Sequence, residues 1–367
     1  MVHRSLNLSD GEFFLPPLIW PTELRMPPRP PLLIHLDLAQ WIRFGRAIQG
    51  RGERAYVELL EELREGVLTG GIRIVLSGAQ YREVLKIKDP AQRRALASVI
   101  EELTDFTYLT SHVDIQRLEL QAALDHLTQT KGLGWGSIDL LGKSALNVVG
   151  RVGGLRIMEK GEDVTSRLLR EDPSWVERLA TMNRMAERML LRGPDDEEAA
   201  KMQADGYQPQ VAEQQIVDNA VIESQWSEQI DEYRGSHRIR DLVIARHLYL
   251  ELADMLVREQ IARGIQIRDI FTTPEGGTEF VMSMPSSAVI VSMKAQYHQD
   301  PNRSWTPNDL YDIDALALAL PYCDVVFTDA SARDGALRRG LDRHFETFMP
   351  RRPEDLTSKL RVRRGAE

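Results

Sequence analysis

Residues 308–329 read NDLYDIDALALALPYCDVVFTD, an acidic helix start that passes through an apolar run into a short β-branched strand ending in an acid. Thr306-Pro307 just before it is a helix start signal, a capping threonine followed by proline at the first helical position. The helix then carries Tyr311, Asp312, Leu316 and Leu320, and Asp324 to Thr328 reads as a buried strand that delivers Asp329. The same grammar recurs upstream. Residues 31–37, PLLIHLD, form a short apolar run that ends at Asp37 and feeds a helical pattern from Leu38. A charged amphipathic helix over 53–66 is broken by Gly70-Gly71. Ile72 to Leu76 is a second strand, and Ser77 caps the helix carrying Tyr81, Glu83 and Leu85. Asp89-Pro90 opens another helix to about Leu103, Phe106 to Thr110 is a third strand, and a helix follows from about His112 to Thr130. Strand alternating with helix implies an α/β fold with a mostly parallel sheet and helices on its faces. Thr347 to Met349 is read as a short fifth strand.

Between these halves the pattern changes. Gly132 to Gly136 is a glycine-rich break, and helical periodicity then dominates to about Met284, with Arg238 to Ala262 as its longest continuous stretch. Loops are expected at 193–196 (Gly-Pro-Asp-Asp) and at Asp205-Gly206. The organisation expected is an extended, proline-rich arm over 1–30, an α/β unit split between 31–130 and 286–350, an all-helical insertion or cap over 131–285, and a basic tail over 351–367.

Composition limits the function classes. A hydrophobic fraction of 43% and a charged fraction of 28% are ordinary for a globular protein. No run of about 18 apolar residues predicts a membrane span, and the N-terminus lacks the pattern of a secretory signal. The lone Cys323 excludes an internal disulfide and a cysteine-based zinc site, and it is expected to be buried and inert. A cytoplasmic protein is the expectation. The net charge of −9 argues against a general nucleic-acid coat. Residues 331–367 nevertheless hold ten Lys/Arg against six acids, which reads either as a substrate-facing stripe or as a solvated helical face with a frayed end. The sequence has no Gly-x-Gly-x-x-Gly after a strand, no Walker lysine motif, no Gly-x-Ser-x-Gly and no His-Glu-x-x-His. Ala39, two residues after Asp37, disfavours an aspartyl-nucleophile phosphatase.

Four acids stand where strands end or helices begin: Asp37, Glu83, Asp312 and Asp329. In an open parallel sheet such positions converge on the carboxyl edge. Hard divalent ions take oxygen ligands, and phosphodiester hydrolysis uses one or two of them, so Mg²⁺ or Mn²⁺ is the cofactor expected. Each acid also has a plainer role. Asp37 and Asp329 suit helix caps, Asp312 suits the positive end of its helix, and Glu83 suits an exposed helical face. Asp309, one turn before Asp312, shares its face and would assist. Asp314 points about 160° away on a regular helix. Asn308 and Arg333 sit near two of the acids and read either as surface residues or as groups that touch phosphate. His35 reads as a satisfied core histidine, and Trp41 or Trp305 is a candidate for stacking a base.

LLIHLDLAQW, IVLSGAQYREVL, and NDLYDIDALALALPYCDVVFTD with the helix after it resemble the strand-and-helix signatures of PIN-domain ribonucleases. The resemblance covers roughly 30–130 and 285–350. It implies a PIN-like three-layer α/β/α fold and a metal site formed by Asp37, Glu83, Asp312 and Asp329. It also implies an endoribonuclease activity, with RNA rather than DNA as the substrate. The alternative is a catalytically inactive PIN-like scaffold or protein-interaction module. In either case the helical insertion would serve as a cap, a homo-oligomer surface or a dock for a protein partner.

Overall fold

The structure is a computed structural model and describes residues 15–366, except 129, 152–153, 195–196, 198–200, 202–203, 205–208 and 237. It is mixed α/β and predominantly helical around a small parallel sheet. Five buried residues, LLIHL, make β2 (Leu32–Leu36), which pairs in parallel with β3 (Ile72–Val75) on one side and β9 (Val325–Phe327) on the other. Two parallel bridges extend this order outward, Leu76 to Tyr108 and Val325 to Phe348.

The third strand is shorter than its aromatic sequence predicts, only β4 (Tyr108–Leu109). Asp105 and Phe106 take left-handed φ values of 43° and 51°, so the chain is still turning out of α4 (Pro90–Thr104) at the point where the strand was expected to begin. The fifth strand is reduced to Phe348, whose N–H donates to Asp324 O at 2.9 Å.

Side-chain alternation divides the core between the two faces of the sheet. Leu32, Ile34, Leu36, Ile72 and Ile74 face α1 (Leu38–Ile48), α2 (Arg54–Leu68) and α4. Leu33, Val75 and Val326 face α5 (His112–Thr128), α13 (Pro285–Gln299) and α14 (Pro307–Tyr322). The start signals hold in detail. Ser77 and Gln80 form a capping box on α3 (Gly78–Leu85), Asp89 caps α4 at Ala91 N, and Thr306 and Asp309 form a capping box on α14.

Residues 131–285 are not uniformly helical. β5 (Ile138–Asp139) pairs with β1 (Leu24–Arg25), and β6 (Leu141–Gly142) pairs with β4. These pairings also fix the N-terminal arm, where Trp20 sets its edge on Tyr322 with ring centroids 5.5 Å apart. A hairpin of β7 (Met158–Glu159) and β8 (Glu162–Asp163) precedes α6 (Thr165–Glu171) and α7 (Ser174–Arg192). Gly193 ends α7 with a φ of 71°, a conformation that favours glycine. Asp195, Asp196, Asp205 and Gly206, expected in loops, lie outside the described residues. α8 (Pro209–Gln229) spans 21 residues and exceeds α9 (Arg238–Arg246) and α10 (Ala253–Arg263), which a π turn at His247–Glu251 separates. The expected continuous helix from 238 is therefore interrupted. α11 (Ile267–Ile270) and α12 (Pro274–Ser283) lead into α13.

After α15 (Ala330–Arg338) and α16 (Leu341–His344), the basic tail presents a largely exposed helical face. It forms α17 (Pro353–Ala366), which buries Leu356 and Leu360 and pairs Arg361 and Arg364 with Glu62 of α2. No helix among the described residues is long and apolar enough to cross a membrane.

Candidate metal centre

The chain leaves β2 toward β3 but returns on the other side of β2 as β9. This reversal opens a crevice between β2 and β9 at their carboxyl ends, the usual ligand position of open α/β sheets. The first residues beyond those strands line it. Asp37 N donates to Phe327 O at 2.9 Å, which sets the two strand ends side by side. Asp37 Oδ1 accepts from Leu38 N at 2.7 Å, and Asp329 Oδ1 accepts from Ala332 N at 2.8 Å. Each acid is thus a helix cap, and each has a second oxygen not used in the cap. Asp312 enters from the second turn of α14. One carboxylate oxygen each from Asp37, Asp312 and Asp329 can be chosen so that all three lie within 4.8 Å of one another.

The electrostatics agree with the geometry. Burial pushes the Asp312 carboxyl up to about 9, and the charges of Asp329, Asp37 and Glu83 push the same way. Burial lifts Asp37 to about 6 with help from Asp329, against the restraining hydrogen bond from Leu38 N. Glu83 lies outside the group of three. Burial and the charge of Asp37 raise it to about 8, against the pull of Lys86 and Arg82. Carboxylates crowded in a partly buried crevice hold either protons or a cation. An all-oxygen donor set suits Mg²⁺ or Mn²⁺ rather than a soft metal.

The remaining candidates stand elsewhere. Asp309 is committed to its cap, accepting from Thr306 N at 2.7 Å and Thr306 Oγ1 at 2.8 Å, and it also pairs with Arg303. Asp314 turns away from the three acids and pairs with Arg82 at 3.1 Å. Asn308 is exposed on the first turn of α14. Arg333 Nε donates to Met349 O at 2.9 Å, tying α15 to the chain after Phe348. Trp41 and Trp305 are buried, and Trp305 Nε1 donates to Ser227 Oγ at 3.2 Å, so neither is placed to stack a base at the surface. His35 is buried, but both ring nitrogens lack a partner, and burial lowers its pKa to about 3. Cys323 is buried, and burial pushes its thiol up.

Sequence reading missed four groups around the crevice. Lys86 Nζ sits 3.9 Å from the Tyr311 ring centroid and the Arg82 guanidinium 5.7 Å from it, so a cationic pair flanks Glu83 on α3. Their i, i+4 spacing was the available signal. The Tyr297 hydroxyl is buried without a partner, and burial together with Asp312, Asp309 and Asp329 raises its pKa against the pull of Arg303. Arg303 lies 3.3 Å from the Tyr297 ring centroid. Nothing local marks Tyr297 or Arg303, because α13 is buried nearly all round and Arg303 lies in the following loop. The chain matches no protein-family model, no curated protein and no solved structure.

Proposed function

We propose that this chain is a PIN-like, metal-dependent nuclease that hydrolyses RNA phosphodiester bonds, with Asp37, Asp312 and Asp329 holding Mg²⁺ or Mn²⁺ and Glu83 assisting. The convergence of three carboxylate oxygens within 4.8 Å at the β2–β9 crevice carries this reading. The parallel order from Tyr108 to Phe348, with helices on both faces, supports the PIN-like comparison. RNA as the substrate rests on the sequence resemblance, and a cytoplasmic location on the composition, above all the lone Cys323.

When bound, the metal would acidify and orient a water and neutralise charge on the leaving oxygen. The protein's own groups set the rest. The caps on Asp37 and Asp329 fix the direction of both carboxylates, so little reorganisation is needed at the moment of reaction. Glu83, beside the three acids, would orient the attacking water and take its proton once a bound cation offsets the charge of Asp37 that raises its carboxyl. Lys86 and Arg82 bring positive charge beside Glu83 for a phosphate. α8 contributes a wall, since Ile216 packs on Ala79, Tyr311 and Ala315.

Incubation of mixed RNAs with Mn²⁺ or Mg²⁺ is expected to give cleavage that EDTA, Asp37→Asn or Asp312→Asn abolishes. Cleavage unaffected by Asp37→Asn would refute the assignment. Loss in Asp314→Asn but not in Asp312→Asn would reverse the choice of the helical acid.

A second reading is a non-catalytic module with a protein partner, and it draws on α7. Met182, Met185 and Met189 are exposed there at helical spacing. Metal binding without cleavage of any RNA would favour it.

A further inference from the structure

Across α14 from the acid cluster lies a second, partly open cavity of about 370 Å³, lined by α5, α8, the π turn, α13 and α14. Ile313, the residue after Asp312, lines it, so one helix separates the two sites. The volume is within the ~300–1,000 Å³ of small-molecule sites.

Its charged groups are already matched. Lys294 Nζ lies 2.6 Å from Glu251 and 3.1 Å from Glu223, and Arg246 lies 2.7 Å from the other oxygen of Glu223. The second Glu251 oxygen meets His247 at 2.7 Å. An anion such as phosphate would have to displace one of these carboxylates, which disfavours it as the ligand.

The uncommitted groups are neutral. Gln116 is only 8% exposed and lines the cavity, yet its amide has no hydrogen-bond partner among the described residues. His112 Nε2, from the first turn of α5, is enclosed and unpartnered as well, and burial keeps its ring neutral by lowering its pKa. Asn219 adds a second amide from α8 at the exposed mouth of the cavity. Ile216, Ile290 and Ile313 supply apolar walls. An enclosed polar nitrogen is rarely left unsatisfied in a folded protein, so His112 Nε2, with the open amides of Gln116 and Asn219 beside it, points to a ligand that completes it.

We infer that this cavity is a nucleobase subsite, in which a flat, neutral heterocycle lies between the isoleucine walls and the Gln116 amide and His112 Nε2 bond its edge. An amide supplies one donor and one acceptor, the pair that base edges complement. The base would belong to a nucleotide of the strand whose phosphate lies at Asp37, Asp312 and Asp329. That source rests on the nuclease reading, whereas the affinity of the cavity for a base does not.

The test is calorimetric titration of the full chain in EDTA with adenosine, guanosine, cytidine, uridine and ribose 5-phosphate. At least one nucleoside is expected to bind saturably and ribose 5-phosphate is not. Gln116→Leu is expected to weaken that binding by about tenfold or more, because the edge contact is lost from a buried site. Asn219→Ala, at an exposed position, is expected to weaken it severalfold. Three results would each overturn the inference: no nucleoside binding at about 10 mM, equal binding of ribose 5-phosphate, or binding unchanged in both variants. Mn²⁺-dependent stabilisation, measured in parallel, separates the two readings. Nucleoside binding without a metal response removes the nuclease reading and keeps the subsite, and the converse removes the subsite alone.

Discussion

Replacing Asp312 by asparagine is expected to stabilise the metal-free protein, and to do so more strongly as pH rises. Burial first, then Asp329, Asp37 and Glu83, push the Asp312 carboxyl from 3.8 to about 9. Between those values the unfolded chain ionises this group while the folded chain keeps it protonated. The folded state therefore binds the extra proton, and wild-type stability falls as pH rises through that window. One proton changes stability by about 1.4 kcal/mol per pH unit, so about pH 5 to about pH 8 spans ~4 kcal/mol. Proton sharing within the cluster lowers this to ~2–4 kcal/mol. Asparagine keeps the shape and cannot ionise. Urea unfolding in EDTA is the assay, with wild type and Asp312→Asn compared at both pH values. The difference between the two proteins is expected to widen by ~2–4 kcal/mol in favour of the variant at the higher pH. Saturating Mn²⁺ is expected to reverse the order, because only wild type keeps the full set of ligands. A difference that is constant with pH, or a variant weaker at both pH values, would refute the crowded-carboxylate account.

Two further outcomes concern the scaffold. Leu356→Ala in α17, where the side chain is fully buried, is expected to cost ~2–5 kcal/mol by urea unfolding. No loss would mean that the C-terminal helix does not dock as described. Glu119 is buried and accepts from Ser286 N at 2.9 Å and Tyr322 Oη at 2.6 Å, yet burial outweighs these donors and raises its pKa to about 7. With the folded pKa above the ordinary 4.5, its contribution declines as pH rises from about 4.5 through about 7. Glu119→Gln is expected to flatten that part of the stability–pH curve, since the amide cannot ionise, and to match wild type most closely at about pH 5, where the wild-type carboxyl is also neutral. An unchanged curve would contradict the assignment.

What was legible in the sequence was local. Thr306-Pro307, Asp89-Pro90 and Ser77 start helices because each cap is satisfied within three residues. The strands ending at Asp37 and Asp329 were readable because parallel strands buried on both faces are uniformly apolar. The errors arise where distant segments meet. The arginines of the tail read as spare charge, but Arg361 finds Glu62, 299 residues away in sequence. β1 is a strand only because β5 lies beside it, and neither has a pattern of its own. Phe106 looked like a strand residue from its β propensity, but its left-handed backbone keeps it in the turn. Around the crevice, Asp37, Asp312 and Asp329 come together from two strand ends and a helix. Asp309 was placed on the right face, but its cap and Arg303 occupy it. The cavity beside α14 left no motif, because Gln116, His112 and Asn219 come from two helices far apart in sequence.

The most direct test of the central claim is thermal unfolding of wild type and Asp37→Asn across a titration of Mn²⁺. A midpoint that rises with the logarithm of free Mn²⁺ in wild type and stays flat in the variant is the expected result. A flat response in wild type, or an equal rise in both, would show that the three carboxylates do not hold a metal.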